Sequence, residues 1–394
     1  MNQKLYHENL TFCKPIVTPV RLSSNRCTSV ITFPLQDIIL RTVTDKSLFQ
    51  PSNLLLDPDN PCKRVSNPSE IICDVNDGSW FVDSQKNELT KEDQILMPFS
   101  FFIDGLKVDK FGKLTMEAVL GCCLWFNKKA RNRSSTWFVL GFVQDQKLFR
   151  DQDNYIRDEK AQDYHDMLAH IFQEMRLMRE KGGIRLTLDF GQNRIHVVTA
   201  IPVIQFIVGD CKGNDLLCGR MGGHNIEMGG LCRDCDVSPS NGDLISDGDL
   251  PNECNFHTME YLQSFDRKKL KKISFLPINN SFHHISFGGC ERNIYGGTPA
   301  EILHAVELGL CEYIADSLTY YFSPKVIEII STTIAGIVKI SKRQSERDLP
   351  ELGPFKQGLI SVKLLKASER FARVYALHLA LMNSHCVKEL CSRK

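Results

Sequence analysis

Two strand-length apolar runs, each ending on an aspartate, bracket one long amphipathic helix. No other feature of the chain limits its fold as tightly. The first run is Met97-Pro98-Phe99-Ser100-Phe101-Phe102-Ile103 before Asp104, and the second is Ile204-Gln205-Phe206-Ile207-Val208-Gly209 before Asp210. Apolar runs of this length, bounded by turn residues, suit strands buried on both faces. Between them, residues 114–126 and 136–143 read as two more strands, the latter apolar throughout from Trp137 to Val143. Over residues 158–181, Met167, Leu168, Ile171, Phe172, Met175, Leu177 and Met178 recur every three to four residues, which predicts a helix closed by Gly182-Gly183. A short strand pair, 184–190 and 194–199, turns around Gly191-Gln192-Asn193 before the second run begins.

The order strand, strand, strand, helix, strand, with acids on the first and last strands, predicts an α/β fold. Its core would be a ribonuclease-H-like mixed sheet flanked by helices, with the 184–199 pair as an embellishment. Four regions follow from composition. Residues 1–95, rich in Pro, Asn, Asp and Ser, read as an irregular lead-in with one short helix near 35–42. Residues 96–210 hold the first part of the core. Residues 211–295 form a loop-rich Cys/His insert. Residues 296–394 are helical: Thr298 suits an N-cap, Pro299 the first helical position, and Glu301 completes a capping box. A last helix is expected over 367–382.

At 394 residues the chain can bury a large core, and 42% hydrophobic with 24% charged residues excludes a wholly disordered chain. A net charge of +1 gives no global field toward DNA. Charge is nevertheless uneven, with nine Lys/Arg against three Asp/Glu between Leu106 and Arg150. The fifteen cysteines are an odd number, so they cannot all pair within the chain, and residues 1–30 have no continuous apolar core of a signal peptide. A reducing compartment with a few metal-ligating thiols fits better, most other cysteines, such as Cys122 and Cys123, being small buried hydrophobes. The apolar stretch around 197–208, broken by Pro202 and Gln205, is too short to span a bilayer.

Four constellations could carry chemistry. Asp104 and Asp210, on neighbouring strands of the expected sheet, could share Mg²⁺ or Mn²⁺ through hard oxygen ligands; alone, each also suits a strand-ending turn or a helix cap. Cys232-Arg233-Asp234-Cys235 and Cys254-Asn255-Phe256-His257, 18 residues apart, have the spacing of a closed tetrahedral Zn²⁺ site, with Cys218 and His224 as spare ligands and His283, His284 and Cys290 as weaker ones. The basic stretch Lys128, Lys129, Arg131 and Arg133, expected on a hairpin tip, and the run with Lys268 and Lys269 could touch DNA phosphates or simply be solvated. Glu301, His304 and Glu307 share one helical face, where a cap and a core histidine are the plainer reading.

Three segments together resemble the transposases of eukaryotic cut-and-paste elements in the CACTA and Kyakuja–Dileera–Zisupton assemblage, and the Plavaka type in particular. They are Phe102-Ile103-Asp104-Gly105-Leu106-Lys107-Val108-Asp109-Lys110-Phe111-Gly112, Phe206-Ile207-Val208-Gly209-Asp210-Cys211-Lys212-Gly213-Asn214-Asp215 and Leu231-Cys232-Arg233-Asp234-Cys235, with Gly297-Thr298-Pro299-Ala300-Glu301-Ile302-Leu303-His304 as a similar helix start. The likeness spans roughly residues 95–380. It implies an Asp-Asp-Glu set on a ribonuclease-H-like core, binding two catalytic metal ions (Mg²⁺ or Mn²⁺), with a Cys/His motif holding structural Zn²⁺ after the second Asp. Asp104 and Asp210 would be the first two acids, Glu369 the third with Glu301 second choice, and Cys232, Cys235, Cys254 and His257 the inserted motif.

By the same resemblance the partners would be transposon ends and target DNA, the assembly a homo-oligomer and the location nuclear, with no membrane involved. The chain has no separate zinc finger before its core and ends soon after the 367–382 helix, as a truncated copy would. Two readings therefore stay open: a DNA-cutting and -joining catalytic core, and a non-catalytic, zinc-stabilised nucleic-acid- or protein-binding module descended from one. A metal-dependent nuclease of the same fold is a third.

Overall fold

The computed structural model describes residues 13–107, 115–144, 157–221, 232–237 and 255–299, with a few helical positions between 320 and 333. The chain divides into two compact units at Pro299/Ala300. In the second, Val326 and Ile330 are buried. The first is mixed α/β, a curled seven-stranded mixed sheet with helices.

Strands β1 (Ile16–Arg21) and β2 (Cys27–Thr32) lead into helices α1 (Leu35–Thr44) and α2 (Ser79–Glu88). Then come β3 (Gln94–Lys107), β4 (Thr115–Cys123), the short α3 (Lys128–Arg131), β5 (Trp137–Gln144), α4 (Arg157–Ile171), α5 (Gln173–Glu180), β6 (Ile184–Asp189), β7 (Ile195–Val208) and α6 (Cys211–Leu217). Two more helices follow, α7 (Met259–Gln263) and α8 (Arg267–Lys272). The sheet order is β1-β2-β5-β4-β3-β7-β6. Every pairing is antiparallel except β3 with β7. Parallel neighbours need a crossover; the chain from β4 to β6, with α4 and α5, supplies it.

Residues 1–95 do not read out as an irregular lead-in: where described, they extend the sheet by β1 and β2 and supply α1 and α2. Only α1 has a sequence signature, its buried Leu35, Ile38, Ile39 and Val43 falling on one face. Pro34 cannot cap this helix through its side chain, and the Glu174 carboxylate on α5 accepts the backbone N–H groups of Leu35 and Gln36 instead, at 2.5 and 3.2 Å. A cap donated from 138 residues away is invisible to local pattern. The 158–181 helix is interrupted at Phe172, whose ψ of 1° separates α4 from α5. The strand pair and the second apolar run differ more: 195–208 form one strand. Pro202 is tolerated inside it because β6 has already ended its pairing at Ala200. On that side of the strand Ile204 N–H donates to Ser286 O and Pro202 O accepts from Arg179 Nη1.

The core lies between the sheet and α1, α4 and α5. Phe101, fully buried, meets Phe172 edge-on at 5.0 Å, and Phe172 meets Phe282 at 5.3 Å. Gly183 ends α5 at φ +108°, where a Cβ would stand 2.7 Å from Ala200 O, so glycine is required on both counts. Replacing Phe101 with Ala should cost about 3–5 kcal/mol, the usual range for a buried phenylalanine. Chemical denaturation will show it as a large fall in the unfolding midpoint, and a loss under 1 kcal/mol would contradict this packing.

Candidate functional site

The parallel register fixes the first two site residues. Phe101 is opposite Ile207 and Phe102 opposite Val208. Beyond that last pair β7 ends, and Asp210 follows two residues later as the cap of α6, while β3 runs on through Asp104 to Lys107. The strands are still close at this level: a Cβ on Gly209 would stand 3.0 Å from Ile103 O and 3.0 Å from Asn214 Oδ1. Asp104 is exposed and its Oδ1 accepts from Gly105 N at 2.7 Å. Asp210 is half-buried and N-caps α6, its Oδ1 accepting from Gly213 N. Of the two plain roles expected, the cap is present at Asp210, whereas Asp104 lies within β3, which stays paired with β4 as far as Lys107.

Nothing in the sequence singles out Glu117 and Tyr164 as part of this region. Glu117 on β4 is opposite Gly105, and its Oε2 accepts from the Tyr164 hydroxyl of α4 at 2.7 Å. Burial, then the Glu117 charge and more weakly that of Asp210, hold the Tyr164 pKa well above its usual value, so the phenol stays a donor. Glu117 thus holds one buried hydroxyl whose ionisation the Asp210 charge also opposes. Glu369 and Glu301, the candidates for a third acid, lie outside the described residues, as do His304 and Glu307.

Helix α6 is braced from behind by charge. Asp215 is buried and pairs with Arg220 at 3.2 Å and with Arg233 at 3.5 Å, while Arg233 Nη2 donates to Thr298 O at 3.0 Å. Arg233 sits between Cys232 and Cys235, so this pair ties the Cys/His segment to the helix that starts at Asp210.

The Cys/His segment has a defined backbone. Asp234 N–H donates to Cys232 Sγ at 3.3 Å. Cys235 and Phe256 form an antiparallel bridge, flanked by Asp236 N–H to Asn255 O at 3.0 Å and His257 N–H to Asp234 O at 2.9 Å. His257 is fully buried, and neither of its ring nitrogens makes a hydrogen bond. Burial lowers its pKa to about 4, against the raising effect of the nearby Cys235 backbone, so the ring is neutral, the form that ligates metals. A buried imidazole with two unmet nitrogens, lying beside two cysteines, fits a metal site. Cys254, the fourth expected ligand, and His224 lie outside the described residues. Among those described, no three His, Cys, Asp or Glu side chains gather closely enough to hold a metal. Of the other spares, Cys218 contacts Thr298 Oγ1, His283 contacts the Tyr295 hydroxyl and Cys290 contacts Asn293 O.

The basic segments are placed differently from expectation. Residues 128–131 form α3, capped by Asn127, and not a hairpin tip. Arg131 is committed to Asp74 at 2.6 Å and to Phe126 O, since Asp74 accepts both that guanidinium and Lys128 N–H. It is unavailable to phosphates. Lys128, Lys129 and Arg133 are exposed. Lys268 and Lys269 are exposed on α8, with Lys269 Nζ 4.3 Å from the Phe265 ring centre. No described helix is long and apolar enough to cross a membrane.

His165 holds α4 to α6: its Nε2–H donates to Leu216 O at 3.1 Å and its Nδ1 accepts from Ser281 N at 3.3 Å. Burial lowers its pKa from 6.5 to about 4. A lowered histidine pKa means the unfolded chain binds the proton first, so this stability is present above pH 6.5 and is lost as pH falls toward 4. The loss should approach about 3 kcal/mol at pH 4. Unfolding midpoints for the wild type and His165→Gln between pH 4 and 7 should converge at the acid end; parallel curves would contradict this role. Compared with known proteins, the chain matches no family model and no curated sequence.

Proposed function

We propose that the first unit is the ribonuclease-H-like core of a DNA transposase, cutting and joining DNA by metal-dependent phosphoryl transfer. The observation that carries this reading is the parallel pairing of β3 with β7, since Asp104 and Asp210 each come two residues after the last paired residues, Phe102 and Val208. The order β5-β4-β3-β7, with the helices α4 and α5 before β7, supports it: it is the strand arrangement expected of such a core, with β1-β2 and β6 added at the edges. Asp104 and Asp210 would hold Mg²⁺ or Mn²⁺. Such ions, when bound, make water a nucleophile at neutral pH and stabilise the leaving oxygen. The chain's own residues do the positioning. Capping by Asp210 Oδ1 fixes that carboxylate's direction, and a carboxylate has a second oxygen for a cation. The Arg233–Asp215 pair steadies α6 behind it. Cys232, Cys235, His257 and Cys254 would hold a structural Zn²⁺, folding a segment that has little apolar content of its own. DNA would be held in part by the exposed Lys128, Lys129, Arg133, Lys268 and Lys269.

A second reading, a zinc-stabilised binding module without catalysis, is favoured by one observation: no third acid joins Asp104 and Asp210 among the described residues. Activity separates the two. With DNA carrying the element's ends and Mg²⁺, Asp104→Asn and Asp210→Asn should each lower cleavage about a thousandfold or more, as loss of several kcal/mol of charge stabilisation would. Undiminished cleavage by either variant would overturn the assignment. Absence of wild-type cleavage, with DNA binding retained, would favour the binding module. Purified protein should carry about one Zn²⁺ per chain by elemental analysis, a value set by the single four-ligand site. Cys232→Ser should lose it, and a zinc-free wild type would remove the structural site.

A further inference from the structure

The loop that carries the Cys/His motif also presents an exposed aromatic ring beside an arginine. Phe256 lies between Asn255 and His257 in the bridge with Cys235, yet its ring is 48% exposed, while His257 beside it is fully buried. An exposed phenylalanine at the tip of a rigid turn does nothing for the core. The Arg292 guanidinium lies over one face at 4.7 Å from the ring centre. Arg292 Nη1 is buried without a hydrogen bond, its nearest acid, Asp234 Oδ1, being 3.9 Å away. Arg233 Nε is likewise buried and unbonded. Buried donors of this kind are costly unless a partner arrives. The turn is continuous with α7 and α8 through the His257, Tyr261 and Phe265 rings, spaced 6.1 and 4.6 Å apart, and α8 carries the exposed Lys268 and Lys272.

We infer that Phe256 and Arg292 form a subsite for one nucleotide of a single DNA strand, a base stacking on the exposed Phe256 ring and its phosphate meeting Arg292. A ring with a free face accepts any base, and a planar guanidinium suits a phosphate. A duplex keeps its bases stacked inside and cannot use the ring, so the subsite selects the unpaired strand at a cut or melted end. This deepens the proposed function and rests on it for the meaning of that end; the binding itself does not.

Fluorescence anisotropy with a labelled twelve-nucleotide oligothymidylate, and with a duplex of the same length, tests it on the full chain. Phe256→Ala should weaken single-strand binding about tenfold, within the range for losing one stacked base, and duplex binding by less than twofold. Phe256→Trp should keep single-strand binding. Arg292→Ala should lower the slope of log affinity against log salt by about one, as for one lost phosphate contact. Equal single-strand binding by Phe256→Ala and wild type overturns the inference, as does equal loss in the Trp variant. Displacement of the oligonucleotide by polyglutamate, insensitive to Phe256→Ala, would point instead to an acidic protein partner and also overturns it. If wild-type cleavage fails while these effects hold, the catalytic reading falls and the subsite stands; if cleavage depends on Asp210 while Phe256→Ala is silent, the reverse is true.

Discussion

The parallel pairing of β3 with β7 is the constraint on which the rest of the described structure depends. All other pairings in the sheet are antiparallel. Parallel alignment runs both strands toward the same edge, where Asp104 lies within β3 and Asp210 follows the end of β7 by two residues. An antiparallel pairing would have sent Asp104 and Asp210 to opposite edges. The crossover it demands carries α4 and α5 over the sheet, where Phe172 closes on Phe101. Core packing and the placement of the aspartates therefore have one cause: the same pairing that buries the aromatic cluster carries both aspartates toward one edge of the sheet.

Behind that edge, a short chain of polar contacts links the strand end to the Cys/His turn. Asp210 caps α6, α6 presents Asp215, and Asp215 holds Arg220 and Arg233. Removing one member of a buried ion pair typically costs about 3–5 kcal/mol, because the remaining charge is left unpaired. Losing the fold of the turn would thus be felt at Asp210, several residues away. That gives the turn a mechanical purpose even before any metal or DNA is considered, and it explains why an arginine stands between the two cysteines.

Legibility followed the range of the forces involved. Strands β3, β4, β5 and β6 and the long helix could be seen in the sequence, because runs and three-to-four-residue spacing are local signals. The placing of Asp104 and Asp210 toward one edge of the sheet was legible as strand order alone. Strands β1 and β2 were not, since Thr, Ser and Pro dilute their pattern and only Val30 among Val20, Thr28 and Val30 is fully enclosed. The split between 194–199 and the second run was misjudged because Pro202 is harmless only on the side β6 has left. Arg131 read as a free cation because its partner, Asp74, is 57 residues upstream. Glu117 with Tyr164, and Asp215 with its two arginines, leave no sequence motif. They are assembled by the fold, and only the direction of side chains across strands and helices reveals them.

Asp104 and Asp210 are proposed to share one metal site. Electron paramagnetic resonance of the protein titrated with Mn²⁺ tests it most directly, because two ions about 4 Å apart couple magnetically. A shared site should give a spin-coupled signal that vanishes in both Asp104→Asn and Asp210→Asn. A spectrum of isolated Mn²⁺ ions, the same in the wild type and in both variants, would contradict it.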